Sequence, residues 1–331
     1  MAGGKRILFV TATRIGDAVL STGLLAHMIE RHPDASVTVA CGAPAAPLFE
    51  FVPNLDQLVV IRKKRLKLHW LGLWASCLGP RWDAVVDLRS SGLAWFLPAA
   101  ERHVKRVRGS SMHRIEELAG VLDLADPPAP RIWSAPRYLD EAARLIPDGG
   151  PVLILGPTAN WAAKEWRAER FAALVRTLTA PDGLFPDARV AVLGSSDERA
   201  RARPLIDAIP DDMLIDLFGL GLLASYECFR RCAMFIGNDS GLMHLSAASG
   251  VPTLGLFGPT RDRHYRPWGP HAAVVRTRES CDELVHAPGF DHRRTGTLMD
   301  GLSVEAVADA ADQLWRRTRQ DGRDRSYANG P

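Results

Sequence analysis

Residues 235–260 read FIGNDSGLMHLSAASGVPTLGLFGPT. An apolar run, Met234 to Ile236, stops at Gly237-Asn238-Asp239-Ser240-Gly241. A helix-like segment follows from Leu242 to Ser249. Gly250-Val251-Pro252 then leads into a second apolar run, Thr253 to Phe257, closed by Gly258-Pro259-Thr260. The order is strand, polar glycine turn, helix, strand. Asn, Asp and Ser carry the side-chain oxygens that cap free N–H groups at a helix start. Small residues let a ligand approach the backbone, and a helix N-terminus favours an anionic group. The stretch therefore predicts a parallel α/β layout with a phosphate-bearing ligand at the turn.

The same alternation extends outward in both directions. Upstream, Val152–Leu155, Arg189–Gly194 and Leu214–Leu217 read as strands, and residues 168–179, 197–208 and 224–232 as helices. Ser303–Arg317 reads as a C-terminal helix, and the polar tract from Arg319 on as frayed. In the first half, residues 6–12, 36–40, 58–61 and 84–87 read as strands, with a long helix over Ile15–Glu30 and helical segments near 44–51 and 137–145. Short apolar runs between amphipathic segments indicate parallel sheets with crossover helices. Pro147-Asp148-Gly149-Gly150-Pro151 reads as a linker. The expectation is an α/β chain of two Rossmann-like domains, 1–148 and 149–331, facing each other across a cleft. Ligands would sit at the carboxyl ends of the strands.

Composition bounds the function. With 331 residues, 47% apolar and 24% charged, the chain suits a soluble protein of two domains. A net charge of +3 does not argue for nucleic acid. Five scattered cysteines fit a reducing cytoplasm better than a disulfide framework. Cys228 and Cys232 lie one helical turn apart, but no second pair completes a metal site. The apolar run after Lys5 and Arg6 is too short for a signal core, and no membrane span is expected.

Several residues invite chemistry. The first strand ends in Thr11-Ala12-Thr13-Arg14-Ile15-Gly16-Asp17-Ala18, where a dinucleotide fingerprint would lie, yet G-x-G-x-x-G is missing. That disfavours a nicotinamide-dependent dehydrogenase. Asp17 is either a helix-start carboxylate favoured by the macrodipole or a general base at the strand's carboxyl edge. The second half opens with an equivalent loop, Gly156 to Trp166. There Lys164 is either a solvated surface lysine or the partner of a departing diphosphate. Trp161 and Trp166 are expected to pack the loop. Asp239 and Ser240 are caps or ligand contacts. His244, one turn after Ser240, is a packed residue or shares its face. Arg62, Lys63, Lys64, Arg65 and Lys67 precede Leu68-His69-Trp70-Leu71-Gly72-Leu73-Trp74, and Arg102, Lys105, Arg106 and Arg108 form a second basic group. These are solvated faces or contacts for an anionic acceptor at a membrane surface.

NDSGLMHLSAASGVPTLGLFGPT resembles the signature of glycosyltransferase family 9, the ADP-heptose:lipopolysaccharide heptosyltransferases. RILFVTATRIGDAVLSTGLL is similar to that family's amino end, VLILGPTANWAAKEWRAERFAALV to its donor-domain opening and AVVDLRSSG to a cleft segment of its first domain. The resemblance implies the GT-B fold, no metal or other cofactor, and attack by an acceptor hydroxyl on an ADP-sugar with inversion. It implies Asp17 as general base and Lys164 as the residue that meets the diphosphate. Thr158, Asn238, Asp239, Ser240, Gly241, Leu242 and His244 would bind the donor. Thr13, Arg14, Gly16, Arg62, Lys63, Asp87, Arg89 and Arg108 would lie on the acceptor side. The implied partners are an ADP-sugar and an anionic glycolipid, in the cytoplasm or at the cytoplasmic face of the inner membrane. Arg14 stands where the family often has a small residue, and Asn160-Trp161 falls in a stretch that varies. A sugar-nucleotide epimerase of similar fold and a non-catalytic sugar-nucleotide or glycan-binding protein remain the alternatives.

Overall fold

A computed structural model describes residues 4–62, 69–106, 112–292 and 294–328, without the side chains of His69 and of residues 321–328. The chain divides into two compact units, 1–135 and 136–331.

In the first unit the elements run β1 (Arg6–Val10), α1 (Ile15–Arg31), β2 (Ser36–Gly42), β3 (Leu55–Ile61), α2 (His69–Cys77), β4 (Trp82–Asp87), β5 (Ala99–Val104) and α3 (Arg114–Ala119). The strands form one sheet in the order β3-β2-β1-β4-β5, and every pairing is parallel. Val10 pairs with Asp87, so the carboxyl ends of β1 and β4 lie side by side where the strand order reverses. A ligand in such a sheet binds outside this switch point. The core comes from near-continuous apolar strands such as Ile7–Val10 and Ala84–Val86, as a sheet covered on both faces requires.

The second unit starts with α4 (Pro136–Leu145), β6 (Val152–Gly156), α5 (Ala168–Thr179), β7 (Arg189–Val192), α6 (Arg203–Ile206), β8 (Leu214–Asp216) and α7 (Leu222–Phe229). It continues with β9 (Met234–Asn238), α8 (Gly241–Ser249), β10 (Thr253–Phe257), α9 (Asp262–Tyr265), β11 (Ala272–Arg276), α10 (Cys281–Val285) and α11 (Val304–Ala328). Its parallel sheet has the order β11-β10-β9-β6-β7-β8, which puts the reversal between β6 and β9.

Four expectations are corrected. The boundary falls before α4 rather than at residue 148, because α4 packs on α7 and belongs to the second unit. The Pro/Gly stretch after it is a turn within that unit, tied down by Arg231, whose Nε donates to Ile146 O (2.7 Å) and whose Nη2 pairs with Asp148 (2.5 Å). The helix expected over 197–208 is instead a 3-10 turn, Ser196–Ala202, followed by the short α6, because Pro204 has no N–H to continue the ladder. The polar tract after Arg319 continues α11 rather than fraying, since it holds no proline before its helix ends and is rich in good helix formers.

The sheet of the second unit carries a row of three glycines across neighbouring strands. Gly156 pairs with Gly237, and Gly237 with Gly255. The Phe235 ring lies over the first two: a Cβ on Gly237 would stand 2.6 Å from that ring and 2.8 Å from Gly156 O. A Cβ on Gly255 would meet Met243 Sδ of α8 at 2.6 Å. The row thus lets α8 and Phe235 close on the strands that deliver the polar turn. Overpacking such a site costs about 1–3 kcal/mol. Gly237→Ala is accordingly expected to lower the unfolding free energy, measured by urea titration, by that much. Gly72→Ala, in a helix with nothing near the new methyl, is expected to leave stability unchanged or raise it by about 0.5–1 kcal/mol.

Candidate functional site

At the switch point of the first unit, Asp17 occupies the first turn of α1 with its side chain 21% exposed. The loop before it is braced against β2: Thr11 N donates to Ala40 O (2.8 Å), and a Cβ on Gly42 would strike Thr13 Cα at 2.5 Å. Thr13 and Gly16 are half-buried and Arg14 is exposed. Arg114, first residue of α3, brings Nε to 3.3 Å from Asp17 Oδ1, an ion pair without hydrogen-bond geometry. Arg114 is anchored instead to Glu117 (2.5 Å), which also receives Lys105 Nζ (3.0 Å). Burial acts to raise the Glu117 carboxyl, but the hydrogen bonds and charges of Lys105 and Arg114 outweigh it and hold the group below the usual carboxylate range. Four charges of alternating sign therefore hold Asp17 beside a fixed guanidinium.

Asp87 has a different task. It is fully buried at the end of β4 and accepts from Arg89 N (2.9 Å), Ser91 N (2.8 Å) and Ser91 Oγ (2.7 Å). It shapes the loop after β4, and both of its carboxylate oxygens are already engaged there. Arg62 and Arg89 are exposed, whereas Lys63 and Arg108 lie outside the described residues.

In the second unit the loop after β6 meets the turn after β9. Asn238, fully buried, joins them: its Oδ1 accepts from Trp166 N (3.0 Å) and its Nδ2 donates to Pro157 O (2.7 Å). Lys164 donates to Asp239 Oδ2 and Asp239 O, both at 3.0 Å. Thr158 is buried and donates to Glu198 Oε2 (2.8 Å), so its hydroxyl is used within the protein. Glu165 accepts from Ala159 N and pairs with Arg201 (2.6 Å); burial pushes its carboxyl up. Trp166 is buried, and Trp161 stacks on His292 at 4.4 Å, so both tryptophans pack the loop as expected.

The polar trio does not cap α8. Asn238 and Asp239 are engaged as described, and Ser240, the N-cap residue, makes no side-chain cap bond. Its Oγ is buried and has no hydrogen-bond partner among the described residues. Gly241 and Leu242 are half-exposed and His244 is buried. The head of α8 thus offers free N–H groups, an idle hydroxyl and a lysine ammonium a short distance away, which is a setting for an anion. Beyond β10, Thr260 Oγ1 is a second buried hydroxyl without a partner. Sequence reading quoted Thr260 without assigning it, and it missed Arg114 and Glu117; the only local hint was the capping box His113–Glu116 that opens α3. Cys228 and Cys232 are held as thiols, since burial pushes Cys228 up to about 12 and Cys232 higher still.

The model of glycosyltransferase family 9 (heptosyltransferase) matches residues 90–289. Lipopolysaccharide heptosyltransferase 2 of Salmonella typhimurium is 22% identical over 318 residues, covering 82% of this chain and 88% of that protein. Lipooligosaccharide heptosyltransferase 2 of Haemophilus influenzae is 28% identical over 140 residues, but that match spans only 41% of this chain and 38% of the relative. Among solved structures, the ADP-heptose LPS heptosyltransferase II of Escherichia coli superimposes with a TM-score of 0.72 at 18% identity, over 95% of this chain and 99% of that one. Two parallel-sheet units, the signature turn at the head of α8 and a family match over residues 90–289 agree: the chain belongs to glycosyltransferase family 9 and is a glycosyltransferase of the GT-B fold.

Proposed function

We propose that this glycosyltransferase moves a heptose, or a closely similar sugar, from an ADP-sugar to a lipopolysaccharide core or a related anionic glycan, with inversion and without a metal ion. The roles are divided between the units: the first binds the acceptor and supplies the base, and the second binds the donor. The acceptor hydroxyl gives its proton to Asp17 as its oxygen attacks the anomeric carbon. The bond from that carbon to the diphosphate oxygen breaks on the opposite face, and ADP leaves with the electron pair. Lys164 and the free N–H groups of α8 meet the charge that develops on the leaving oxygens.

The observation that carries this reading is the head of α8. Lys164 is held ready by Asp239, the helix start is uncapped, and Ser240 Oγ is buried with no partner. Buried polar groups are otherwise nearly always satisfied, so a diphosphate is a fitting occupant. Arg114 holds a fixed positive charge 3.3 Å from Asp17 Oδ1. No helix among the described residues is long and apolar enough to cross a membrane. A cytoplasmic enzyme that meets a lipid-anchored acceptor at the inner membrane fits the ADP-sugar and glycolipid partners.

Asp17→Asn is expected to keep ADP-sugar affinity and lose about 10²–10⁴-fold in kcat, the usual share of a general base. Steady-state transfer assays beside calorimetric titration test this, and normal turnover would remove Asp17 from the role. Lys164→Ala is expected to weaken ADP binding by about ten- to a hundredfold, since a charge-assisted bond contributes about 1.5–3 kcal/mol. Titration of the wild type with ADP, UDP and GDP fixes the nucleotide; equal affinity for all three would refute the donor assignment.

A further inference from the structure

The first unit exposes large apolar side chains that its fold does not need. Trp95 and Phe96 are 68% and 74% exposed, on the 3-10 turn Leu93–Phe96 after β4. Beside them α2 turns Leu71 and Trp74 outward, one helical turn apart, and Leu78, just past its end, is also exposed. The two elements are one surface: Trp74 Nε1 donates to Phe96 O (3.1 Å), and their inner residues Leu73, Cys77, Leu93, Ala94 and Leu97 share one apolar cluster.

The protrusion is held firmly. Asp87 ties down the start of the loop. At its far end Arg102 donates to three backbone carbonyls, from Nε to Ala94 O (2.8 Å), from Nη2 to Leu97 O (2.9 Å) and from Nη1 to Ala99 O (2.8 Å). A guanidinium that spends three N–H groups on the turn beneath two solvent-facing aromatic rings holds them in place for a partner. Contiguous exposed apolar surface of this kind marks an interaction site.

The charge around it selects the partner. From Gln57 to Trp82 the sequence has six Lys or Arg and no Asp or Glu, and from Leu88 to Ala100 it has one Arg and no acid. Arg62, Arg81 and Arg89 stand exposed among the described residues. A second copy of this surface would bring like charges together. An anionic bilayer would take the indole, phenyl and leucine side chains at its interface and the cations at its headgroups.

We infer that the surface formed by α2 and the Trp95–Phe96 turn docks the enzyme on an anionic lipid membrane. This deepens the proposed function and rests on it for its purpose, since the surface belongs to the same unit as Asp17 and would bring that unit to a lipid-anchored acceptor.

The test is flotation of the full chain with vesicles of phosphatidylcholine alone or mixed with phosphatidylglycerol, at low and high salt and without any glycolipid. The expected result is binding to the mixed vesicles only, weakened by salt, and reduced about tenfold or more in W95S/F96S, in keeping with the loss of two interfacial aromatics. Thermal melting and ADP titration of the variant are expected to match the wild type, which separates docking from folding and from the donor site. Absence of wild-type flotation, equal flotation of the variant, or self-association that the variant abolishes would overturn the docking surface. Intact ADP binding beside any of these would leave the transferase reading standing.

Discussion

Each sheet of this protein depends on one buried polar side chain at the end of one switch-point strand. At a topological switch point the chain turns away from its neighbour on either side, and the two loops that emerge have backbone groups with no strand to pair with. Asn238 ends β9 and spends both amide atoms on the loop after β6. Asp87 ends β4 and spends both carboxylate oxygens on the loop that follows it. Both are fully buried. An unpaired buried group would cost about 1–3 kcal/mol, so these residues are bound to structure. Asp17, near the end of β1, and Lys164, in the loop after β6, are half-buried, with exposure left for chemistry.

This division of labour explains what sequence could and could not show. Strands such as Ile7–Val10 and Leu153–Leu155 are continuous apolar runs, and the glycine turn before α8 is local, so both were legible. The tasks of Asp87 and Asn238 were not. Their residue types suit ligand binding and loop closure equally, and only the hydrogen-bond partners decide between them. Arg114 and Glu117 escaped for a different reason: the pair with Asp17 joins elements far apart in the chain, which no periodicity reports. Edge strands β5 and β11 escaped because an edge shows little burial pattern; β5 reads AAERHV, with exposed residues on both faces. The turn that carries Trp95 and Phe96 is held by Arg102, a residue that reads as a surface cation.

The two charged groups at the strand ends are also arranged by a common rule. Each is paired before any ligand is present, yet neither pairing consumes it fully. Lys164 shares its ammonium between the Asp239 carboxylate and the Asp239 carbonyl. Asp17 faces Arg114 across 3.3 Å without a hydrogen bond, because Glu117 directs the guanidinium elsewhere. Preorganised charge of this sort needs no rearrangement when the reaction develops its own charge. It also avoids the larger cost of an unpaired buried ion.

The pairings differ in a way that matters for order of events. A diphosphate brings more negative charge to Lys164 than Asp239 supplies, and it brings acceptors for the free N–H groups and hydroxyls at the head of α8. Under the proposed assignment, donor binding replaces one partner with a better one and adds contacts at the head of α8. Asp17 gains nothing comparable from an acceptor hydroxyl, which is neutral until it reacts. Its pairing with Arg114 fixes the position of the carboxylate. Under the proposed assignment the donor side is built for affinity and the acceptor side for a single proton transfer. An acceptor held weakly by its reacting group must be positioned by its remaining charges or by its anchor, which is why a fixed apolar and basic surface on the same unit as Asp17 makes physical sense.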